Sequence, residues 1–188
     1  MTITDKKITL PAGVDPQKIR VVMICEALPE NMGDYFYSST DSLFVVNIIK
    51  AFDGAGVMVK NINDVVRKGV YLTVAVKEPR KGLTVPTEVI EKYSDSLEEE
   101  LRMFPNTRAI LLMGDAAIKA LNCITLRVNK KRAIPAGSTY KIRGGKFFFG
   151  NIRVFPSYLP TGKNFLIEKA KRKMVAEDIR NAFILLEK

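Results

Sequence analysis

Two carboxylates and a run of aromatic side chains follow the first apolar segment of this chain. Residues 21–24 are apolar and rich in β-branched types, which predicts a short buried strand. The loop after that strand holds Glu26 and Asp34 and ends in an aromatic cluster. Because open α/β sheets bind ligands just past the carboxyl ends of their strands, this loop is the best candidate for an active or binding site. The aromatic cluster consists of Tyr35, Phe36 and Tyr37.

The chemistry available to such a site is narrowed by the absence of histidine from the sequence. Without histidine there is no Ser-His or Cys-His nucleophile system and no histidine metal site. Two cysteines, Cys25 and Cys123, are too few for a zinc finger or a four-cysteine iron–sulfur cluster. Any catalysis must therefore use carboxylates, lysines, tyrosines, hydroxyls or backbone amides.

The charge of the chain favours a polyanionic partner. Thirty Lys and Arg residues against twenty Asp and Glu residues give a formal net charge of +10. Nucleic acid is the first candidate, because neutralising its phosphates releases counterions. The alternative is a basic surface that only aids solubility.

Length and composition predict one domain in a reducing compartment. The 188 residues are 47% hydrophobic, which suits a single packed domain over residues 1–188. No apolar run approaches the length of a bilayer span, and residues 1–13 lack the pattern of a signal peptide. Cys25 ends a predicted strand and Cys123 lies at the end of a predicted helix. These positions favour two small core residues over a disulfide. We therefore expect a cytoplasmic protein.

Apolar periodicity predicts an alternation of strands and helices. Strands are predicted over residues 20–25, 70–76, 108–113 and 152–155. Helices are predicted over residues 43–54, 62–67, 86–104, 116–121 and 164–187. We expect Asp41 and Asp115 to be N-caps, and Pro86 to lie in a first turn. The alternation predicts parallel strands joined by right-handed helical crossovers, and so a three-layer α/β/α domain.

Three further patterns bear on the surface of the molecule. Residues 128–150 are basic, glycine-rich and aromatic, and residues 141–149 predict a β-hairpin insertion turning at Gly144-Gly145. The glutamates 98–100 are expected on a solvated helix face. The predicted C-terminal helix has its lysines and arginine at 169 and 171–173 outside its apolar face. That face consists of Ile167, Ala170, Met174, Ile179, Ala182, Phe183 and Leu186.

Four segments of the chain carry a family resemblance. They read VVMICEALPENMGDYFY (21–37), YLTVAVKEP (71–79), RAILLMGDAAIKAL (108–121) and RVFPSYLPTGKN (153–164). In content and order they resemble the uracil-DNA glycosylase superfamily, nearest to its bacterial and archaeal branches. There a GEAPG-type loop follows strand one and a TN-x-x-K-C-type segment ends strand two. A G-x-x-A helix start follows strand three, and a His-Pro-Ser loop follows strand four.

The resemblance implies a fold and a reaction. The implied fold is a central four-stranded parallel sheet between helices, with DNA at the carboxyl ends of the strands. Such enzymes extrude a damaged base from DNA and hydrolyse its N-glycosidic bond, with no metal or cofactor. The reaction passes through an oxocarbenium-like sugar and a departing base anion, so a carboxylate that places water or stabilises positive charge suffices. Glu26 matches the acidic residue of the GEAPG-type loop, and Asp34 is the second choice for that carboxylate.

The resemblance also assigns residues to the base pocket. Tyr35, Phe36 and Tyr37 become candidates for stacking on the extruded base, a contact worth about 1–3 kcal/mol. Val74 and Phe155 stand where the family has the asparagine that reads uracil and the histidine of the last motif. Neither side chain can donate to a leaving anion, and losing such a donor costs roughly 2.7–4 kcal/mol of transition-state stabilisation.

These roles have structural alternatives. One or two of the aromatics could cap the core beneath the loop, and Glu26 could be a structural carboxylate bonded to loop amides. CEALP also departs from GEAPG at its first and last positions, where Cys25 and Pro29 replace glycines. The iron–sulfur cysteines of one branch of the family are absent from the sequence.

A rim of polar and basic residues is expected to contact DNA phosphates. The hairpin insertion is expected to extend that rim with three of its basic residues. The predicted contact residues are Lys77, Arg80, Lys81, Lys141, Arg143, Lys146, Pro156, Ser157, Lys163 and Asn164.

The sequence thus predicts a monomeric, DNA-binding base-excision hydrolase that acts on uracil or another deaminated or damaged base, in single- or double-stranded DNA. A catalytically degenerate nucleic-acid-binding protein of the same fold is the first alternative. The absence of histidine and the presence of Val74 favour it. A hydrolase of free nucleosides or nucleotides is the second alternative, for which the basic surface would be incidental.

Overall fold

Five strands form one sheet in the computed structural model, which describes residues 8–187 and only the backbone at 163 and 164. The strand order is β2-β1-β3-β5-β4, where β1, β2, β3 and β5 run parallel and β4 runs antiparallel to β5. The predicted α/β architecture is therefore confirmed, as a mixed and mostly parallel sheet flanked by helices. The strands are β1 (Val21–Leu28), β2 (Val70–Pro79), β3 (Ala109–Met113), β4 (Phe147–Phe149) and β5 (Ile152–Ser157).

Helices connect the strands and cover both faces of the sheet. The helices are α1 (Leu43–Gly54), α2 (Ile62–Arg67), α3 (Thr87–Arg102), α4 (Asp115–Asn129), α5 (Thr139–Ile142), α6 (Gly162–Ile167) and α7 (Lys169–Leu186). Within the described residues, no helix combines the length and the apolarity that crossing a membrane requires.

The apolar core lies in two layers because successive strand residues point to opposite faces. Val21 and Met23 of β1 face the layer formed by α1, α2 and α7. Val22 and Ile24 face the opposite layer, formed by α3 and α4. Helices on both faces explain why the central strands read as continuous apolar runs instead of alternating ones.

Three predicted helix starts are displaced by one residue. Ser42, not Asp41, is the N-cap of α1, since its side chain accepts from the Val45 N–H at 3.3 Å. Pro86 is the extended N-cap residue of α3 instead of a first-turn residue. Gly114 is the N-cap of α4, and Asp115 begins the helix. In addition, α4 continues to Asn129, beyond the predicted end at residue 121.

The predicted hairpin is wrong in its position. Residues 139–142 form α5, and the turn of the hairpin lies at residues 150–151, between β4 and β5. Gly150 has φ +57°, the left-handed conformation that tight hairpin turns require. Phe147 pairs with Val154, so β4 is the edge strand of the main sheet and not part of a separate insertion.

The predicted C-terminal helix is broken in two at Glu168, which has φ −76° and ψ 76°. The break changes the helical phase, so the apolar face does not continue through it. As a result Ile167 and Ala170, both predicted on that face, are exposed. The residues of α7 that are buried are Val175, Ala176, Asp178, Ile179 and Ala182.

The glutamates of α3 are also placed differently from the prediction. Glu99 is exposed, as expected for a solvated face. Glu98 and Glu100 are buried and ion-paired, Glu98 with Arg127 at 2.5 Å. Helix α3 therefore buries charged groups on the side where it meets α4 and β2.

Candidate functional site

The carboxyl ends of three parallel strands bring Glu26 and Ser157 to one edge of the sheet. Ile24 of β1 pairs with Leu112 of β3, and Met113 pairs with Ser157 of β5. Glu26 lies within β1, which continues to Leu28, and not in the loop where it was predicted. The parallel register thus assembles residues that are far apart in the sequence.

Gly114 joins these two positions. Its N–H donates to the carbonyl of Ser157 at 3.1 Å. A Cβ atom at Gly114 would lie 2.7 Å from Glu26 Oε1, and the backbone there has φ +105°. Because only glycine adopts this conformation without strain and leaves room for the carboxylate, Gly114 permits the observed position of Glu26.

The carboxylate of Glu26 is held by two donors from different elements. Oε1 accepts the backbone N–H of Ala116 at 3.2 Å, in the first turn of α4. Oε2 accepts Nη1 of Arg80 at 3.1 Å, and 14% of the Glu26 side chain is exposed. A carboxylate has about four acceptor positions, so these two bonds leave capacity for a water molecule or a ligand.

A cavity of about 270 Å³ opens beside Glu26. This volume is close to the lower end of the range of about 300–1,000 Å³ that is usual for small-ligand sites. Its wall combines carboxylates, aromatic rings and apolar side chains. The wall includes Glu26, Glu30, Asp34, Tyr35, Phe36, Phe44, Val74 and Arg80.

The three predicted stacking residues have different surroundings. Tyr35 and Phe36 line the cavity, with their ring centroids 4.2 Å apart. Phe36 is only 3% exposed and also packs on the core layer of α1. Tyr37 is not among the cavity-lining residues; its hydroxyl accepts the Leu72 N–H at 3.0 Å. Burial raises the pKa of both Tyr35 and Tyr37, so both phenols are neutral.

Val74 and Phe155 also differ in their surroundings. Val74 is 1% exposed and lines the cavity, where it offers an apolar surface. Phe155 is buried in the core layer of α1 and α7 and is not among the cavity-lining residues. The guanidinium of Arg153 lies 4.6 Å from its ring centroid.

Two residues expected to contact phosphates, Lys77 and Arg80, form ion pairs within the protein. Lys77 Nζ donates to Glu100 Oε2 and Thr73 Oγ1, both at 2.6 Å, and its side chain is 28% exposed. Arg80 is paired with Glu26, and its Nε also donates to the Gly82 carbonyl at 3.0 Å. At the edge of the sheet, Lys77 therefore links β2 to α3, and Arg80 orients the carboxylate of Glu26.

Three more of the predicted rim residues lie inside the protein. Pro156 and Ser157 are buried, and the Ser157 hydroxyl donates to Asp178 Oδ2 at 2.6 Å. Arg143 is the residue that follows α5 and is not part of a hairpin. Its guanidinium donates to Asp178 Oδ1 at 2.8 Å and to Glu177 Oε2 at 3.1 Å. These bonds give Ser157 and Arg143 a structural role, and the contact of the three residues with DNA stays a prediction. Burial raises the pKa of Asp178, while Ser157 and Arg143 oppose that shift.

The remaining rim predictions divide into two groups. Lys81, Lys141 and Lys146 are exposed, as phosphate contacts require. The side chains of Lys163 and Asn164 lie outside the described part of the chain.

Sequence reasoning missed several residues that line the cavity or bond to Glu26 and Ser157. Ala116 contributes only a backbone N–H, which no side-chain pattern reveals. Glu30 lines the cavity, but no sequence motif marks it as a site residue. Asp178 stands among apolar residues of α7, and a charged residue on an otherwise apolar helix face is the signal that could have revealed it.

The site is a cavity lined by carboxylates and aromatic rings. Among the described residues, no group of three or more Cys, Asp or Glu residues is arranged to hold a metal ion. The geometry provides an oriented carboxylate, aromatic rings and an opening at the edge of a parallel sheet. In comparisons with known proteins, no protein-family model matches the chain, and a search of curated proteins finds no match.

Proposed function

We propose that this protein is a DNA-binding base-excision hydrolase with a uracil-DNA glycosylase-like fold. It cleaves the N-glycosidic bond of uracil or another deaminated or damaged base. One observation carries the proposal: the Glu26 carboxylate is oriented by Ala116 and Arg80 beside a cavity lined by Tyr35 and Phe36. The four parallel strands between helical layers agree with the fold that the sequence resemblance implies.

The proposed mechanism uses the carboxylate and the rings in separate roles. An extruded base enters the cavity and stacks on Tyr35 and Phe36, which brings its sugar towards Glu26. The bond from C1′ to the base breaks, and its electron pair leaves with the base. Glu26 stabilises the positive charge on the sugar and accepts a proton from the water that attacks C1′. Asp34, exposed at the cavity wall, is the second candidate for this carboxylate role.

The basic surface supports DNA as the partner. The formal net charge is +10, and the exposed lysines 81, 141 and 146 are available for phosphates. Phosphate contacts of this kind supply most of the affinity of non-specific DNA binding. The protein is expected to act as a monomer on single- or double-stranded DNA.

The first test is release of free base from oligonucleotides. Wild-type protein is incubated with uracil-, hypoxanthine- and xanthine-containing strands, single and double, and the released base is quantified by chromatography. Glu26→Gln is expected to reduce the rate by about 10²-fold or more, because a positioned general base contributes about 10²–10⁴-fold. Glu99→Gln, an isosteric change at an exposed glutamate of α3, is the matched control and should leave the rate unchanged.

Unchanged release by both Glu26→Gln and Asp34→Asn would contradict the catalytic assignment. The second candidate function is a nucleic-acid-binding protein of the same fold without turnover. Val74 at the cavity wall and Phe155 in the core favour it, because neither can donate to a leaving base. It predicts salt-sensitive DNA binding with no base released from any of the strands.

A further inference from the structure

The charge of the cavity wall is opposite to that of the whole chain. Glu26, Glu30 and Asp34 line the cavity, and Arg80 is the cation among the described lining residues. Arg80 is already bonded to Glu26 and to the Gly82 carbonyl. Within the described part of the chain, Glu30 and Asp34 have no ion-pair partner. A protein of net charge +10 therefore has a net acidic, aromatic cavity.

Such a wall is unsuited to a base that departs as an anion. Uracil leaves with a negative charge, which a glycosidase must meet with hydrogen-bond donors or cations. Here the wall presents the apolar Val74, and carboxylates would repel the developing charge. The guanidinium of Arg80 donates to Glu26 and to the Gly82 carbonyl, so its positive charge is already offset by the Glu26 carboxylate.

The same wall suits a base that carries a positive charge before it departs. Aromatic faces attract cations through their quadrupoles, and Tyr35, Phe36 and Phe44 are aromatic residues of the cavity wall. The carboxylates of Glu30 and Asp34 add an attraction of the same sign. Both effects favour a base by its positive charge and do not depend on hydrogen bonds to its edge.

We propose that the substrates of this site are purines made cationic by alkylation at a ring nitrogen, N3 or N7. This inference rests on the proposed base-excision function and specifies its substrate class. In such a nucleotide the electron pair of the C1′–N9 bond moves into the ring and neutralises its charge, so the base leaves neutral and needs no proton donor. Water forms the new bond to C1′, and its proton passes to Glu26 and then to solvent. The products are a neutral alkylated purine, an abasic sugar and one proton.

The test compares duplexes of one sequence that contain a single 7-methyl-2′-deoxyguanosine, 2′-deoxyuridine or 2′-deoxyinosine. Single-turnover release of each base is measured and corrected for spontaneous loss in the absence of protein. The expected result is release of 7-methylguanine at least about tenfold faster than release of uracil or hypoxanthine, given the cost of a missing donor to the leaving anion. Glu26→Gln should abolish the excess over spontaneous loss.

The outcomes separate this inference from the proposed function. Release of uracil or hypoxanthine at a rate equal to or above that of 7-methylguanine would overturn the inference and leave the proposed function standing. Release of none of the three bases would overturn both.

A binding measurement tests the charge of the wall without turnover. The probes are duplexes with a central 2′-fluoro-7-methyl-2′-deoxyguanosine or its unmethylated 2′-fluoro counterpart, since the fluorine suppresses cleavage. Wild-type protein should prefer the methylated duplex by about fivefold or more. Glu30→Gln combined with Asp34→Asn should abolish that preference, whereas Glu99→Gln should retain it. If the double variant keeps the wild-type preference for the methylated duplex, with an unchanged melting temperature, the role of these carboxylates is overturned.

Discussion

At the scale of single residues, the position of the Glu26 carboxylate depends on the absence of a Cβ atom at Gly114. Gly114 has φ +105°, and a Cβ there would lie within 2.9 Å of both Cγ and Cδ of Glu26. The Glu26 carboxylate bonds the Ala116 N–H from the same turn. The site is therefore sensitive to a methyl group that carries no chemistry of its own.

Gly114→Ala should lower both stability and base release. We expect a loss of about 1–3 kcal/mol in the free energy of unfolding from the strained backbone, and a displaced Glu26. Gly56→Ala is the matched control, because Gly56 has φ +80° but nothing within 4 Å of the added Cβ. The measurements are denaturant unfolding and the base-release rate. If the two variants lose activity equally at equal stability, Gly114 has no specific influence on Glu26.

At the scale of elements, a buried carboxylate fastens α3 to β2. Glu100 is 4% exposed and accepts from the hydroxyls of Tyr71 at 2.6 Å and Thr73 at 2.8 Å, and from Lys77 at 2.6 Å. Burial, together with the Glu100 carboxylate, raises the pKa of Tyr71, so its phenol is a donor at neutral pH. The three donors are residues 71, 73 and 77 of β2, which are separated by even numbers of residues and so lie on one face of the strand, where a single side chain of α3 can reach them.

Glu100→Ala should destabilise the protein by about 3–5 kcal/mol, because it leaves a partly buried lysine without its counter-charge. The measurement is the free energy of unfolding in urea. Glu99→Ala, at the exposed neighbouring position, should change it by no more than about 0.5 kcal/mol. A loss at Glu100 as small as that at Glu99 would show that the network contributes nothing to stability.

Helix α7 begins with cations where a helix favours anions. Lys169 opens the helix, its N-cap Glu168 makes no side-chain capping bond, and the first turn holds no acidic residue. The positive end of the helix dipole makes such a cation unfavourable by about 0.3–1 kcal/mol. Lys169 is exposed, and we predict that it adds a phosphate contact to the proposed DNA-binding surface of lysines 81, 141 and 146.

Lys169→Glu should therefore raise the melting temperature while weakening DNA binding. The two readouts are a thermal unfolding curve and DNA affinity at one salt concentration. Lys50→Glu changes the net charge equally on α1, away from any helix N-terminus, and should not stabilise the protein. If Lys169→Glu strengthens or leaves unchanged the DNA affinity, α7 is not part of the DNA-binding surface.

At the scale of the whole molecule, some Lys and Arg side chains pair with buried carboxylates, and others lie exposed at the surface. Lys77 and Arg143 neutralise buried carboxylates, whereas Lys141 and Lys146 are exposed. We expect these exposed cations, which form no ion pair within the described part of the chain, to exchange counterions for DNA phosphates more readily than the paired ones. The sequence composition counts both kinds alike.

The salt dependence of DNA binding should reveal this division. Lys141→Gln and Lys146→Gln should each reduce the slope of log affinity against log salt concentration by about 1. Lys77→Gln should leave the slope unchanged and lower the free energy of unfolding instead. A slope that falls with Lys77→Gln but not with the other two would contradict the proposed surface.

Much of the fold could be predicted because the signals are local. The four strands that form the parallel part of the sheet are apolar runs bounded by turn residues, and all four were located within a few residues. The sequence predicts the wrong position for the hairpin because two glycine-containing turns compete there, and pairing of Phe147 with Val154 decides between them. It predicts a continuous C-terminal helix because its composition does not show the break at Glu168.

The residue types of the candidate site follow from the sequence alone: an acidic residue near the end of a strand, an aromatic cluster and no histidine. What each side chain contacts depends on the three-dimensional fold. It paired Glu26 with Arg80 and Ala116, and it buried Ser157 against Asp178. The physical reason is that strand and helix periodicity are encoded within a few residues, whereas burial and ion pairing depend on groups 21 to 90 residues apart along the chain.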